Sequence, residues 1–217
     1  MTFKPYEFVP NPDSLHCTQA SFIMAYEAIG GPRLTMCQAE ELTGFLPGVE
    51  TWPYAMIASF AEAGYTVRHV DAVDAWALTS DPEPELRASG LDADTLAYFL
   101  KITDFEREHA FVTRAIATGK ATFQVGAPDV TEIPIAFDEG WLPILSLDAA
   151  ILAGREHTEF EGHVVVVRGH DGDGLILDDP GPPARSGWTV PMAVVSAALK
   201  SPAETSGTVT YVRNDGG

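Results

Sequence analysis

The chain has 217 residues, with 13 Lys plus Arg against 31 Asp plus Glu, a formal net charge of −18. So acidic a surface repels phosphates, which argues against nucleic-acid and anionic-membrane partners. No apolar run reaches the roughly 18–20 residues of a membrane span, and MTFKPYEFVPNP lacks the basic-then-apolar pattern of a signal peptide. The expectation is a cytoplasmic protein of one domain, long enough to build a core without a disulfide or metal. Two cysteines, Cys17 and Cys37, are too few for a disulfide scaffold and read as free thiols.

Residues 1–13 read as an extended lead-in carrying Pro5, Pro10 and Pro12. Cys17 to Ile29 is apolar nearly all round, the pattern of a buried helix, and Gly30-Gly31-Pro32 stops it. Further helices are predicted at Thr35 to Thr43 and Trp52 to Ala63, then a strand at Tyr65 to Val70. Residues 71–90 are acidic and Pro-interrupted, and most of the segment reads as loop. Helices follow at Asp92 to Lys101 and Phe105 to Thr118, a strand at Ala121 to Val125 and a helix end at Glu132 to Asp138. Leu142 to Leu147 reads as a strand in which Pro143 suggests an edge or a strand start. Four consecutive valines, 164 to 167, mark a buried strand, and Leu175 to Leu177 is its return. A helix at Val190 to Leu199 and a strand at Thr208 to Val212 close the chain. Helices first and an antiparallel sheet afterwards define an α+β protein, with a helical half at about 14–120 and a sheet half at about 121–213.

Cys17 opens the most buried helix. A thiol at a helix N-terminus feels the positive end of the dipole, which favours the nucleophilic thiolate. A cysteine on an apolar helix also reads as a small buried hydrophobe. Cys37, in a short amphipathic helix, takes that plainer reading. His163 opens the valine strand, where its ring can reach the sheet's rim. A three-residue turn (His170, Asp171, Gly172) with Gly172 left-handed would pair Gly169 with Asp173 and, counting back, His163 with Asp179. Opposed residues share a face about 5 Å apart, so Asp179 could orient the His163 ring. A two-residue Asp171-Gly172 turn would instead point Asp179 away unless a bulge intervened. Asp171 and Asp173 read as turn residues, because the segment lacks the spaced ligands and distal Glu of a calcium loop. His157, Glu159, Glu161 and His163 show no defined zinc spacing, so neither a metal nor another cofactor is expected.

These residues resemble the family-39 cysteine peptidase-like domains of the papain-like superfamily, which include bacterial stand-alone proteins. The resemblance lies in a Cys opening a central helix and, far downstream, Gly162-His163, the valine strand, Gly169-His170-Asp171-Gly172, a second strand and Asp179-Pro180. Phe137 to Leu145 adds the helix end, a Gly and a Pro before an apolar strand. The likeness runs from roughly Pro10 to Val212 and is poorest over 71–90. It implies a papain-like fold with Cys17 as nucleophile, His163 as general base and then acid, and Asp179 as the orienting acid. It also implies an oxyanion hole made by the Cys17 backbone N–H and an upstream side chain. The family's Asp-Cys-Gly is His16-Cys17-Thr18 here, and no Gln precedes Cys17; Asn11, six residues upstream, is the nearest amide. The expected activity is hydrolysis or acyl transfer at a peptide, amide or thioester carbonyl, on a neutral or cationic substrate. Alternatives are an inactive binding module on the same fold and a metal hydrolase using His157 and His163. Loops 71–90 and 148–162 are candidate lid or specificity elements.

Overall fold

The computed structural model describes residues 3–49, 51–91, 93–155, 161–201 and 207–216. The fold is α+β. Helix α1 (Cys17–Ala28) is buried around most of its circumference, as its apolar sequence requires. It stops at Gly30, whose φ of 102° lies in the left-handed region. Helix α2 (Met36–Thr43) starts with a capping box, in which Thr35 accepts from Gln38 N–H and the Gln38 side chain accepts from Thr35 N–H. Helix α3 (Tyr54–Glu62) leads into strand β1 (Thr66–Asp71).

Residues 71–90 differ from the loop expectation. They form helices α4 (Ala75–Ser80) and α5 (Pro82–Ala88). Asp74 caps α4 by accepting from Trp76 and Ala77 N–H, and Pro82 sits at the first position of α5, where its missing N–H costs nothing. The acidic, Pro-rich run that suggested a loop is a set of helix-start signals. Helices α6 (Ala93–Ile102) and α7 (Phe105–Ala117) follow, with α7 packed on α3 and α4.

The second half contains β2 (Ala121–Val125), α8 (Glu132–Asp138), β3 (Leu142–Asp148), α9 (Ala149–Leu152), β4 (Gly162–His170), β5 (Gly174–Asp179), β6 (Arg185–Pro191), α10 (Met192–Leu199) and β7 (Thr208–Arg213). The short helix α9 and strand β6 have no counterpart in the sequence reading. The strand order is β2-β1-β7-β3-β4-β5-β6. All pairs are antiparallel except β1–β2, which is parallel. So β1, from the first half, joins the sheet, and the expected division into halves is not strict. Strand β3 lies inside the sheet, and Pro143 is tolerated at its start. Alternate residues of the central strands feed two apolar clusters. Ile144, Val166 and Val212 pack with α1, α3 and α7. Leu145, Val165, Val167 and Val209 pack with α8 and α10. Among the described residues, no helix is long and apolar enough to cross a membrane.

Glu108, on α7, is buried, and its Oε2 has no partner among the described residues. Burial pushes its carboxyl up to about 8. An acid with a raised folded-state pKa favours the fold below its unfolded value near 4.5, and that contribution is lost as pH rises to about 8. Glu108→Gln removes the penalty. Urea unfolding should show it more stable than wild type above pH 8, by roughly 2–4 kcal/mol, with the gap closing toward pH 5.

Candidate active site

The residues leading into α1 are wound by short side-chain bonds. Asn11 Oδ1 accepts from the N–H groups of Asp13 and His16, and Asp13 Oδ1 accepts from Leu15 N–H. Ser14 takes a left-handed φ of 74° inside this loop, a strained conformation for a non-glycine residue. The His16 ring lies between Asp13 (2.7 Å) and Glu40 (3.0 Å) and against the Phe45 ring. His16 caps α1 without a side-chain bond into it.

Helix α1 is fastened to β4 by Ser21 Oγ, which donates to the Val164 carbonyl at 2.9 Å. That contact sets the helix N-terminus beside the first rungs of β4. Cys17 is half-buried and free, and Cys37 is exposed and free. Cys17 interacts with His163, with Val164 N–H and with the Thr18 hydroxyl. Burial alone would push the thiol up, but the hydrogen bond to His163, the charge of that ring and the other two donors outweigh it, and the thiol sits below its ordinary value. His163 shows the mirror effect. Burial would lower it, but hydrogen bonds to Asp179 and to Cys17 and the charges of both hold it up at about 9. The two shifts run in opposite directions across one contact.

Asp179 accepts from His163 Nε2 at 2.7 Å through Oδ1, and the same oxygen accepts from Gly181 N–H at 2.8 Å. With Nε2 engaged, Nδ1 is the ring nitrogen left for the thiol. Gly181 has φ 78°, and a Cβ there would lie 2.2 Å from Ala184 N, so only glycine fits this turn. Asn11 meets the same turn: its Nδ2 donates to the Gly181 carbonyl at 3.1 Å, and its N–H to the Pro180 carbonyl at 2.8 Å. The turn therefore joins the loop before Cys17 to the carboxylate behind His163.

The hairpin register differs from the sequence expectation. The turn residues are Gly172 and Asp173, closed by Asp171 N–H on the Gly174 carbonyl, and the pairs above it are His170–Leu175 and Gly169–Ile176. Carried straight on, this register would put Asp179 on the face opposite to His163. A bulge at Arg168 shifts the pairing to Val167–Leu177 and Val166–Asp178. Asp179 then shares a face with Val165 and with His163, one step along the diagonal. His163 and Asp179 are not directly opposed, yet they touch.

Asp178 points the other way and is fully buried. It accepts from Tyr6 Oη (2.6 Å), Ser186 Oγ (2.9 Å), Gly187 N–H (2.8 Å) and Arg168 Nη1 (3.4 Å). Burial and this carboxylate push the Tyr6 phenol well up, so it stays a donor. Tyr6 lay outside the sequence reading. The Pro-rich lead-in carried no signal for it, because its partner is 172 residues away.

A cavity of about 510 Å³ opens on Cys17 and His163. Ser146 and Thr208 line it from the sheet, Phe45 and Trp52 from the loops around α2 and α3, and Leu78, Leu86 and Phe99 from α4, α5 and α6. Among the described residues no group of three His, Cys, Asp or Glu could hold a metal ion. His157 and Glu159 lie outside the described residues.

No family model and no curated protein matches the chain. Among solved structures it is similar to the peptidase domain of ComA from Streptococcus, a bifunctional ABC transporter involved in a quorum-sensing pathway. The identity is 12% and the TM-score 0.49, over 97% of this chain and 100% of that one.

The two adjacent aspartates should separate in mutagenesis. Asp178→Ala strands Tyr6 Oη, Ser186 Oγ and Gly187 N–H. It should cost about 3 kcal/mol and lower Tm by roughly 6–10 °C in a thermal melt. Asp179→Ala should leave Tm closer to wild type and abolish the fast alkylation of Cys17 at pH 6. The reverse pattern would mean that Asp178 orients His163.

Proposed function

We propose that the chain is a cysteine-dependent hydrolase or acyltransferase, one domain of papain-like architecture, acting on an amide or thioester carbonyl through Cys17, His163 and Asp179. The observation that carries this reading is the opposite displacement of two touching groups. A half-buried thiol is held below its ordinary value by an imidazole that is itself held up at about 9. A structural cysteine gains nothing from such a partner, whereas a nucleophile requires it.

In the proposed cycle Cys17 Sγ attacks the carbonyl carbon and a C–S bond forms. The carbonyl oxygen takes the negative charge and accepts from Cys17 N–H and from Asn11. Asn11 Nδ2 carries two hydrogens; one goes to the Gly181 carbonyl, and the other serves the oxyanion. The tetrahedral species collapses by breaking the bond to the leaving amine or thiol, which receives the Nδ1 proton of His163. Water, or an amine in acyl transfer, then attacks the thioester. His163 takes its proton, and Cys17 leaves as thiolate. Asp179 keeps the ring oriented throughout and does not itself exchange a proton. The net charge of −18 supports a neutral or cationic substrate.

Iodoacetamide labelling against pH, mapped by mass spectrometry, tests the pair. Cys17 should label faster than Cys37 at pH 6. In His163→Ala the Cys17 rate at pH 6 should fall at least tenfold and follow an ordinary thiol titration near 8.5. Turnover should rise as Cys17 deprotonates, below the usual thiol range, and fall above pH 9 as His163 loses the proton that the leaving group needs. Equal, slow labelling of both cysteines, unchanged in the variant, would overturn the reading in favour of a binding module. Asn11→Ala should lower kcat on the order of 10²–10³-fold while Cys17 still alkylates at the wild-type rate, because alkylation forms no oxyanion. A matching fall in alkylation would instead assign Asn11 to holding the loop.

A further inference from the structure

The cavity beside Cys17 is lined mainly by apolar side chains. Thr18, Ser146 and Thr208 lie with the reacting pair, and the rest of the wall is chiefly Leu78, Val73, Leu86, Leu91, Phe99 and Ile102, with Asp71, Ser89 and Thr95 among them. Its mouth is apolar as well: Leu15 is 64% exposed, Leu46 44% and Tyr98 56%. Large apolar side chains left in water around a cleft mark the path of an apolar ligand. Among the described lining residues, Asp71 is the one carboxylate and there is no Lys or Arg. A phosphate or a free carboxylate would meet no fixed cation there except the His163 imidazolium.

We infer that the cavity takes the acyl side of the substrate and that this acyl group is an unbranched aliphatic chain, joined through an amide or thioester to a neutral or cationic leaving group. The inference rests on the reading of Cys17 as nucleophile. A peptide suits this wall poorly. Each of its residues would bring an N–H and a C=O, and a wall made chiefly of apolar side chains offers few partners for them. An aliphatic chain makes no such demand. A cavity of about 510 Å³ is within the usual range of small-molecule sites and has room for a medium-length aliphatic chain beside the reacting carbonyl.

Two assays separate recognition of the chain from the chemistry. In the first, Cys17→Ala is loaded with the neutral dye Nile red, and butanamide, octanamide and dodecanamide displace it. Affinity should rise about three- to fourfold per methylene. In the second, wild type hydrolyses coumarin amides of acetic, octanoic and dodecanoic acids below their micelle concentrations. The kcat/KM ratio of dodecanoyl to acetyl should exceed 10². Leu86→Trp, which fills the cavity, should cut that ratio at least tenfold. Leu91→Trp, at a half-buried position, should do the same and serves where Leu86→Trp fails to fold. Affinity independent of chain length, or equal kcat/KM for acetyl and dodecanoyl amides, would overturn the acyl-chain assignment and leave the hydrolase standing. Displacement that strengthens with chain length, without turnover of any amide or thioester by wild type, would uphold the chain site while removing the hydrolase.

Discussion

In the proposed pair, a thiolate and an imidazolium in a half-buried cleft are each disfavoured by loss of water, and each would depend on the other. Desolvation is the largest single influence on both Cys17 and His163, and for both it opposes the charged form. The hydrogen bonds and charges between them, with Asp179 behind the ring, reverse its sign. The remaining site geometry follows from keeping three groups in line. The thiol is fixed by α1, whose N-terminus is tied to β4 through Ser21 and the Val164 carbonyl. The ring is fixed by β4 and the carboxylate by the end of β5. A slip of any one element by a residue would leave a buried charge without its partner, which is far more costly than a lost surface contact.

The hairpin meets that constraint by parity. Side chains on a strand alternate, so the turn and the bulge must together shift the pairing by the right count. The tight Gly172-Asp173 turn alone would present Asp178 to the face of His163. The bulge at Arg168 exchanges the two acids. It also turns the Arg168 guanidinium toward Asp178 and over the Tyr6 ring. One irregular residue thus aims Asp179 at the imidazole and gives Asp178 a cation beside its three neutral donors. The neighbours Asp178 and Asp179 end in different roles because β5 has two faces.

Much of this was legible in the sequence, and the failures have physical causes. The buried helix after His16 and the valine strand follow from local pattern, and the contact of His163 with Asp179 was expected, though through a different turn and a direct pairing that the structure does not have. The register did not, because a bulge is decided by what Arg168, Asp178 and Ser186 do together, and β6 was not recognised. Strand β6 reads RSGWTVP, with a glycine inside and a proline at its end, and is largely exposed, as an edge strand can be. Helices α4 and α5 were missed because Asp and Pro serve both as turn residues and as helix starters. Only the contacts of Leu78 and Leu86 with the core separate the two uses. Asn11 was named as an oxyanion donor through the resemblance, as the nearest amide upstream of Cys17. Its bond to the Gly181 carbonyl, in a turn 170 residues away, had no local signal.

That turn carries a further consequence. Gly181 donates to Asp179 and accepts from Asn11, so the support of the His163 ring and the loop that begins the helix of Cys17 converge on one residue. Ser14, in the left-handed conformation, lies between Asn11 and Cys17, and strain of that kind persists only where surrounding bonds over-determine the chain. Here the bonds are those of Asn11, Asp13 and the paired carboxylates on His16. They hold the first turn of α1 in place beside Cys17, whose thiol sits below its ordinary value. In the proposed cycle the positive end of the helix dipole would favour the thiolate before substrate arrives and the oxyanion during attack. Because that end is fixed by the loop and not by the substrate, the charge would move with little rearrangement of the protein.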